Sequence, residues 1–168
     1  KDLIISLIKN SVNSTLGIVG FYAKNPNGYG RVVMDADNNI EKIVEHKNAN
    51  SLEKKINLCN SGILISDSNF LMDSVKKIKF DNIKKEKYLT DIAKIARNKN
   101  KYLNLVIANE KECIGINDRK DLAMVEREIQ EKLRNKFMSK GVTLISPETV
   151  FFSYDTQIDT DVIIGPNV

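Results

Sequence analysis

The apolar residues of this chain change period along its length, and that succession limits the fold more than any single motif does. Leu3, Ile4, Leu7 and Ile8 recur at helical spacing, and the polar cluster at residues 10–14 with Gly17 closes that segment. Residues 18–22 (IVGFY) have the short, apolar composition of a strand, which Asn25-Pro26-Asn27-Gly28 then breaks. Residues 31–34 (RVVM) and 40–44 (IEKIV) flank the turn-forming DADNN, so a hairpin adding antiparallel strands to a sheet is expected. Residues 58–65 (LCNSGILI) are nearly all apolar apart from Asn60 and Ser61 and read as a strand buried on both faces. Phe70, Leu71, Ser74, Val75 and Ile78 predict one helix, Leu89, Ile92, Ala93, Ile95 and Ala96 a second, and residues 103–107 (LNLVI) return to strand. Alternating β and α segments of this length predict a layered α/β domain rather than an all-helical one.

From Asp118 the stripe Leu122, Val125, Ile129, Leu133 and Phe137 predicts an amphipathic helix of about five turns, ended by Gly141. Spacing leaves open whether this helix connects two domains or packs on its own. Beyond it the period becomes six. Phe152, Ile158 and Ile164 recur in one phase and Thr156, Val162 and Val168 in another, with small or polar residues between. Six-residue recurrence suits the triangular coil of a β-helix, where each face supplies one inward aliphatic side chain. The sequence opens on Lys1-Asp2-Leu3-Ile4 without a methionine and closes inside the six-residue pattern, so it reads as a segment interrupted at both ends.

With 168 residues, 42% of them hydrophobic and 29% charged, the chain has the material for an ordinary core, which argues against wholesale disorder. The net charge of +4 is mild, and much of it gathers in residues 76–87 (KKIKFDNIKKEK). No aromatic residues are spaced there for base stacking, so the run reads as a solvated face and no nucleic-acid partner is expected. Cys59 and Cys113 are too few for a disulfide framework and, with a single histidine, for a zinc site; buried reduced thiols are expected. No signal-like segment and no apolar run near the ~20 residues that cross a bilayer is present, so a cytoplasmic location without a membrane partner is expected.

Polar positions interrupt this pattern where chemistry has room. Gly28-Tyr29-Gly30-Arg31 lies between a strand and the hairpin, where glycines permit positive φ and close approach to a ligand; a bare turn uses them equally. Glu45 follows the 40–44 strand, a place from which α/β proteins present side chains, and its carboxylate accepts two vicinal hydroxyls or bridges Lys47. His46 has no serine or cysteine partner in view and reads as structural rather than as a base. Asn60 is an amide in an apolar strand, where lacking partners costs about 1–3 kcal/mol. A backbone group or the acetamido group of an N-acetyl sugar satisfies it. Tyr88 and Thr90 lie at the approach to the second helix, where Thr90 or Asp91 serves equally as a cap. Asn117-Asp118 caps the long helix, or Asn117 is an oxygen ligand to Mg2+ beside phosphates.

In this order, Asn25-Pro26-Asn27-Gly28-Tyr29-Gly30-Arg31, Ile43-Val44-Glu45-His46-Lys47, Asn60-Ser61-Gly62-Ile63-Leu64, Glu86-Lys87-Tyr88-Leu89-Thr90-Asp91-Ile92 and Gly115-Ile116-Asn117-Asp118-Arg119 resemble one family. It is the bacterial bifunctional N-acetylglucosamine-1-phosphate uridyltransferase/glucosamine-1-phosphate N-acetyltransferase, and the resemblance runs from about Asn25 to the end. It implies the C-terminal portion of a Rossmann-like nucleotide-diphospho-sugar transferase sheet over residues 1–117, a linker helix over 118–140, and the start of a left-handed parallel β-helix acetyltransferase domain over 141–168. It implies further that Gly30, Glu45, Asn60, Tyr88 and Thr90 surround the N-acetylglucosamine moiety, and that Asn117 helps bind Mg2+ and the nearby phosphate. The implied substrates are UTP and N-acetylglucosamine-1-phosphate, giving UDP-N-acetylglucosamine for peptidoglycan and lipopolysaccharide precursors. Acetyl-CoA and glucosamine-1-phosphate belong to the second activity, and the whole protein would be a homotrimer. No residue here is expected to act as a covalent catalyst, since the protein aligns the reactants and stabilises charge.

Ser61 stands where that family leads one to expect Thr, and Lys87 where an aromatic is common. The family's Gly-rich nucleotide loop would precede Lys1 and its acetyl-CoA site would follow Val168, so these 168 residues alone are expected to catalyse neither reaction. Two other readings remain. One is a different sugar-1-phosphate nucleotidyltransferase, against which the EHK, NSG and GIND positions speak. The other is a non-catalytic sugar-nucleotide sensor or assembly module, which a gene without the Gly-rich loop would favour.

Overall fold

In the computed structural model, which describes residues 2–80, 86–116 and 118–168, the alternating segments assemble as a mixed α/β fold around a five-stranded sheet. The chain divides into two compact units, Lys1–Cys113 and Ile114–Val168. In the first, α1 (Asp2–Asn10) leads into β1 (Leu16–Tyr22), the hairpin β2 (Arg31–Met34) and β3 (Ile40–Val44) follows, then β4 (Leu58–Ser66), α2 (Ser68–Val75), α3 (Asp91–Asn98) and β5 (Leu103–Ala108). The strand order is β3-β2-β4-β1-β5. β1 runs antiparallel to β4 and parallel to β5, and β2 pairs antiparallel with β3 and β4.

The strand most fully enclosed is β1. Leu16 and Ile18 join one core with Phe70, Ile92, Ala93 and Ala96, brought by α2 and α3. Val19 and Phe21 point the other way, to Leu7 of α1 and to both cysteines. The alternation of a strand side chain between faces puts helices on each side of the sheet. β4 packs on both faces as expected, though less completely than β1: Leu58 and Cys59 are buried, the strand from Asn60 onward is partly buried apart from the exposed Gly62, and Leu64 adjoins one core while Ile63 and Ile65 adjoin the other. A bulge interrupts the pairing of β4 with β1. Ile18 pairs with Leu64 whereas Gly20 pairs with Asn60, so β4 carries extra residues opposite Val19. Ser61 fastens it by donating to the Val19 carbonyl at 2.9 Å, and Gly62 takes φ +83°, a value that favours glycine.

Gly17 also departs from expectation, lying within β1 rather than closing α1. A Cβ there would come within 2.1 Å of the Ser11 hydroxyl, so its absence lets the α1–β1 connection cross the strand closely. Ile78 lies beyond α2 yet stays buried in the core, while Leu89 precedes α3 and is exposed. The hairpin turn is closed by Asp35, whose carboxylate accepts from the amides of Asp37 and Asn39 at 3.0 and 2.9 Å and pairs with Arg97. Of the lysine-rich run, Lys76, Lys77 and Lys79 are exposed, and residues 81–85 lie outside the described residues.

In the second unit α4 (Arg119–Met138) starts at Asp118, whose carboxylate accepts from the amides of Lys120 and Asp121 at 2.8 and 2.9 Å. Of the expected stripe only Phe137 is fully buried; Leu122 and Ile129 are exposed. Gln130 is buried instead, and its side-chain amide holds the backbone of one residue from both sides, donating to the Phe152 carbonyl at 2.9 Å and accepting from the Phe152 N–H at 2.8 Å. β6 (Thr143–Leu144) and β7 (Ile163–Ile164) pair in parallel, as successive coils would. Phe137, Val142, Leu144, Val150 and Phe152 form the core of this unit, with Ile158 and Ile164 packed on it. The phase of Phe152, Ile158 and Ile164 therefore packs on this core, whereas Val162 and Val168 of the second phase are exposed.

Candidate functional site

The end of β3 and the start of α3 meet although 45 residues separate them in sequence. Thr90 precedes α3 with φ −59° and ψ −20°, already helical, and its hydroxyl makes no capping bond. It donates instead to Oε1 of Glu45 at 2.8 Å in a half-buried setting. Thr90 as helix cap is thus set aside, and so is the alternative of Glu45 bridging Lys47: the ion pairs among the described residues are Lys42–Glu53 and Arg97–Asp35. The other carboxylate oxygen of Glu45 faces Gly30, where an added Cβ would sit 3.4 Å from Oε2.

Gly30 does not need glycine for its backbone. The left-handed residue of that turn is Gly28, with φ +85°. At residue 30 the missing side chain leaves open the space against Glu45, Ile43 and the Val44 carbonyl. The Gly30 carbonyl accepts from the Asn60 amide N–H at 2.8 Å, which places the Asn60 side chain one strand away from the same turn. The Asn60 side-chain amide is half-exposed and makes no hydrogen bond among the described residues, so no backbone group satisfies it.

Glu45, Tyr88 and Thr90 line a cleft of about 200 Å³. Gly30 and Asn60 are not among its lining residues; Gly30 faces Oε2 of Glu45, and the Asn60 backbone is tied to Gly30 by the 2.8 Å bond. Tyr88 also donates its phenol to Glu86 at 2.6 Å. Asn117 lies outside the described residues. The sequence reading did not single out Asn48, Asp91 as a lining residue, or Lys94, all at the cleft wall. Burial raises the Asp91 carboxyl above the usual carboxylate range, with Lys94 opposing the shift. A signal for Asn48 was its place three residues after Glu45, where its amide N–H closes a turn on the Glu45 carbonyl at 2.8 Å.

This arrangement offers a polyhydroxylated ligand a carboxylate with one oxygen held in place, an unpaired amide, a phenol and an ammonium group. It supplies no nucleophile–base pair: Cys59 and Cys113 are free and buried, and burial pushes both thiols up. His46 places Nδ1 3.5 Å from the Arg31 guanidinium, a structural contact. Among the described residues no three carboxylate, imidazole or thiol groups gather as a metal centre. Among those residues no helix is long and apolar enough to cross a membrane.

Comparison with known proteins places this chain in a family. The chain is 39% identical over 158 residues to the bifunctional protein GlmU of Agrobacterium fabrum, covering 94% of this chain and 35% of that protein. It is 39% identical over 158 residues to the GlmU of Campylobacter jejuni strain 81-176 (94% and 37%) and 40% identical over 145 residues to that of Maricaulis maris (86% and 32%). Over this stretch the chain belongs to the GlmU family. It spans about a third of the length of the GlmU proteins it matches. A matched stretch of 158 residues in a chain of 168 necessarily includes residues 30–94, so the cleft lies within the part shared with GlmU. No protein-family profile matches the chain.

Proposed function

We propose that this segment forms the sugar-recognising part of a nucleotidyltransferase that moves a uridylyl group from UTP to N-acetylglucosamine-1-phosphate. The bond between Thr90 and Glu45 carries the reading. It holds one carboxylate oxygen and leaves the other, beside the side-chain-free Gly30, to accept sugar hydroxyls. The unpaired Asn60 amide matches the donor and acceptor of an acetamido group, and Tyr88 and Lys94 close the wall. In the proposed reaction a phosphate oxygen of the sugar phosphate attacks the α-phosphorus of UTP, a P–O bond forms, and pyrophosphate leaves. The residues in hand bind and orient, which shortens the approach without any covalent intermediate. Mg2+, held with the help of Asn117, would neutralise phosphate charge when bound.

The same reading takes residues 118–140 as a linker and the parallel β6–β7 pairing as the opening coils of a left-handed β-helix. The acetyl transfer from acetyl-CoA to glucosamine-1-phosphate, the trimeric assembly and the cytoplasmic location belong to the proposal for the whole protein. The test is steady-state uridylyl transfer by the intact protein. Glu45→Ala and Asn60→Ala are each expected to raise KM for N-acetylglucosamine-1-phosphate with KM for UTP unchanged. Unaltered sugar kinetics in both variants would defeat the assignment.

A further inference from the structure

Arg31 opens β2 with 1% of its surface exposed, in a part of the sheet lined by Cys59, Phe21 and Tyr29. A guanidinium enclosed this way loses its hydration, a cost that hydrogen-bond partners must offset. Among the described residues no carboxylate forms an ion pair with it, and its Nε is buried without a hydrogen-bond partner. The groups that Arg31 does reach point to its role. One terminal nitrogen donates to the carbonyl of Tyr29, the peptide entering Gly30, and the other lies 3.5 Å from Nδ1 of His46, the residue after Glu45.

The two segments so joined are the ones that carry Gly30 and Glu45. Other contacts complete the frame around residue 30. The Tyr29 ring meets Phe21 edge-on at 5.0 Å, and the Gly30 carbonyl accepts from Asn60. A flat guanidinium has donors in two fixed directions, so it ties a carbonyl and an imidazole at a set separation; a lysine ammonium on a flexible stem cannot hold that spacing. We propose that Arg31 is a positioning residue for the sugar site, setting the gap between the turn at residues 28–30 and the Glu45 carboxylate. The inference rests on the reading of this cleft as the sugar-phosphate site.

The experiment is uridylyl transfer by the intact protein with Arg31→Lys and Arg31→Met, alongside Glu45→Ala and with thermal unfolding of each variant. Both Arg31 variants are expected to raise KM for N-acetylglucosamine-1-phosphate about tenfold or more, roughly what one lost charge-assisted hydrogen bond gives, with KM for UTP within about twofold. Arg31→Met also takes the donor from the Tyr29 carbonyl, so its unfolding temperature serves as a control on folded fraction and the sugar KM decides. A residue serving only the fold behaves otherwise. It lowers the active fraction, and so apparent kcat, without moving KM for one substrate alone. If Arg31→Met does not fold, Arg31→Lys decides.

Sugar KM unchanged in the Arg31 variants while Glu45→Ala raises it overturns the positioning role and leaves the site reading standing. Sugar KM unchanged in Glu45→Ala as well, or no uridylyl transfer by the unmodified protein, removes the site reading and this inference with it.

Discussion

Replacing Thr90 separates two roles that look alike in sequence. A threonine before a helix ordinarily caps it, and losing a cap costs roughly 0.5–2 kcal/mol of stability. Here the hydroxyl is turned to Glu45 at 2.8 Å and makes no capping bond, so Thr90→Val removes a hydrogen bond to a carboxylate and leaves α3 as it was. Hydrogen bonds to charged groups contribute about 1.5–3 kcal/mol when enclosed. This one is half-buried, which brings the expected loss of ligand affinity to about 1–1.4 kcal/mol, or about 5- to 10-fold in sugar KM. Thr90→Ser keeps the hydroxyl and should restore most of that. Thr90→Asn, an excellent cap, should not.

The assay is the sugar-phosphate dependence of uridylyl transfer by the intact protein, with thermal unfolding measured on the same samples. A Thr90→Val protein that melts markedly earlier with unchanged sugar KM, or a Thr90→Asn protein with normal KM, would show that the residue is a cap after all and that Glu45 needs no such support.

Gly30→Ala should fold normally, since the new methyl meets its nearest neighbour at 3.4 Å, but should raise sugar KM by crowding Oε2 of Glu45; normal sugar kinetics would mean that this space is not used. Gln130→Leu leaves the amide and carbonyl of Phe152 without partners, so denaturant unfolding should show a loss of about 1–3 kcal/mol, and a stability equal to the parent would contradict the clamp. Burial raises the Cys59 and Cys113 thiols above their ordinary 9.0, so both stay protonated at neutral pH. Alkylation should then be slow in the folded protein and rapid in denaturant, and fast labelling at neutral pH without denaturant would refute their enclosure. Asn117→Ala should shift the Mg2+ dependence of the intact protein to higher concentration, and an unaltered metal titration would remove Asn117 from the proposal.

What the sequence alone determined is local and periodic. Hydrophobic spacing marked the five strands of the sheet, the hairpin and the long helix, because side-chain period follows backbone geometry within a few residues. Asn60 stood out as an amide inside an apolar run, and Glu45 and Thr90 by their places after a strand and before a helix. Periodicity says nothing of pairing partners or of which segments share a space. That β1 is more fully buried than the central strand β4, and that a bulge at Ser61 and Gly62 breaks the pairing of the two, was decided only by the assembled sheet. That the Thr90 hydroxyl serves Glu45 instead of its own helix was decided by α3 crossing beside β3. The burial of Arg31 and Gln130 was equally hidden, since composition marks such residues as exposed and only the tertiary fold supplies the carbonyls and amides that make enclosing them tolerable.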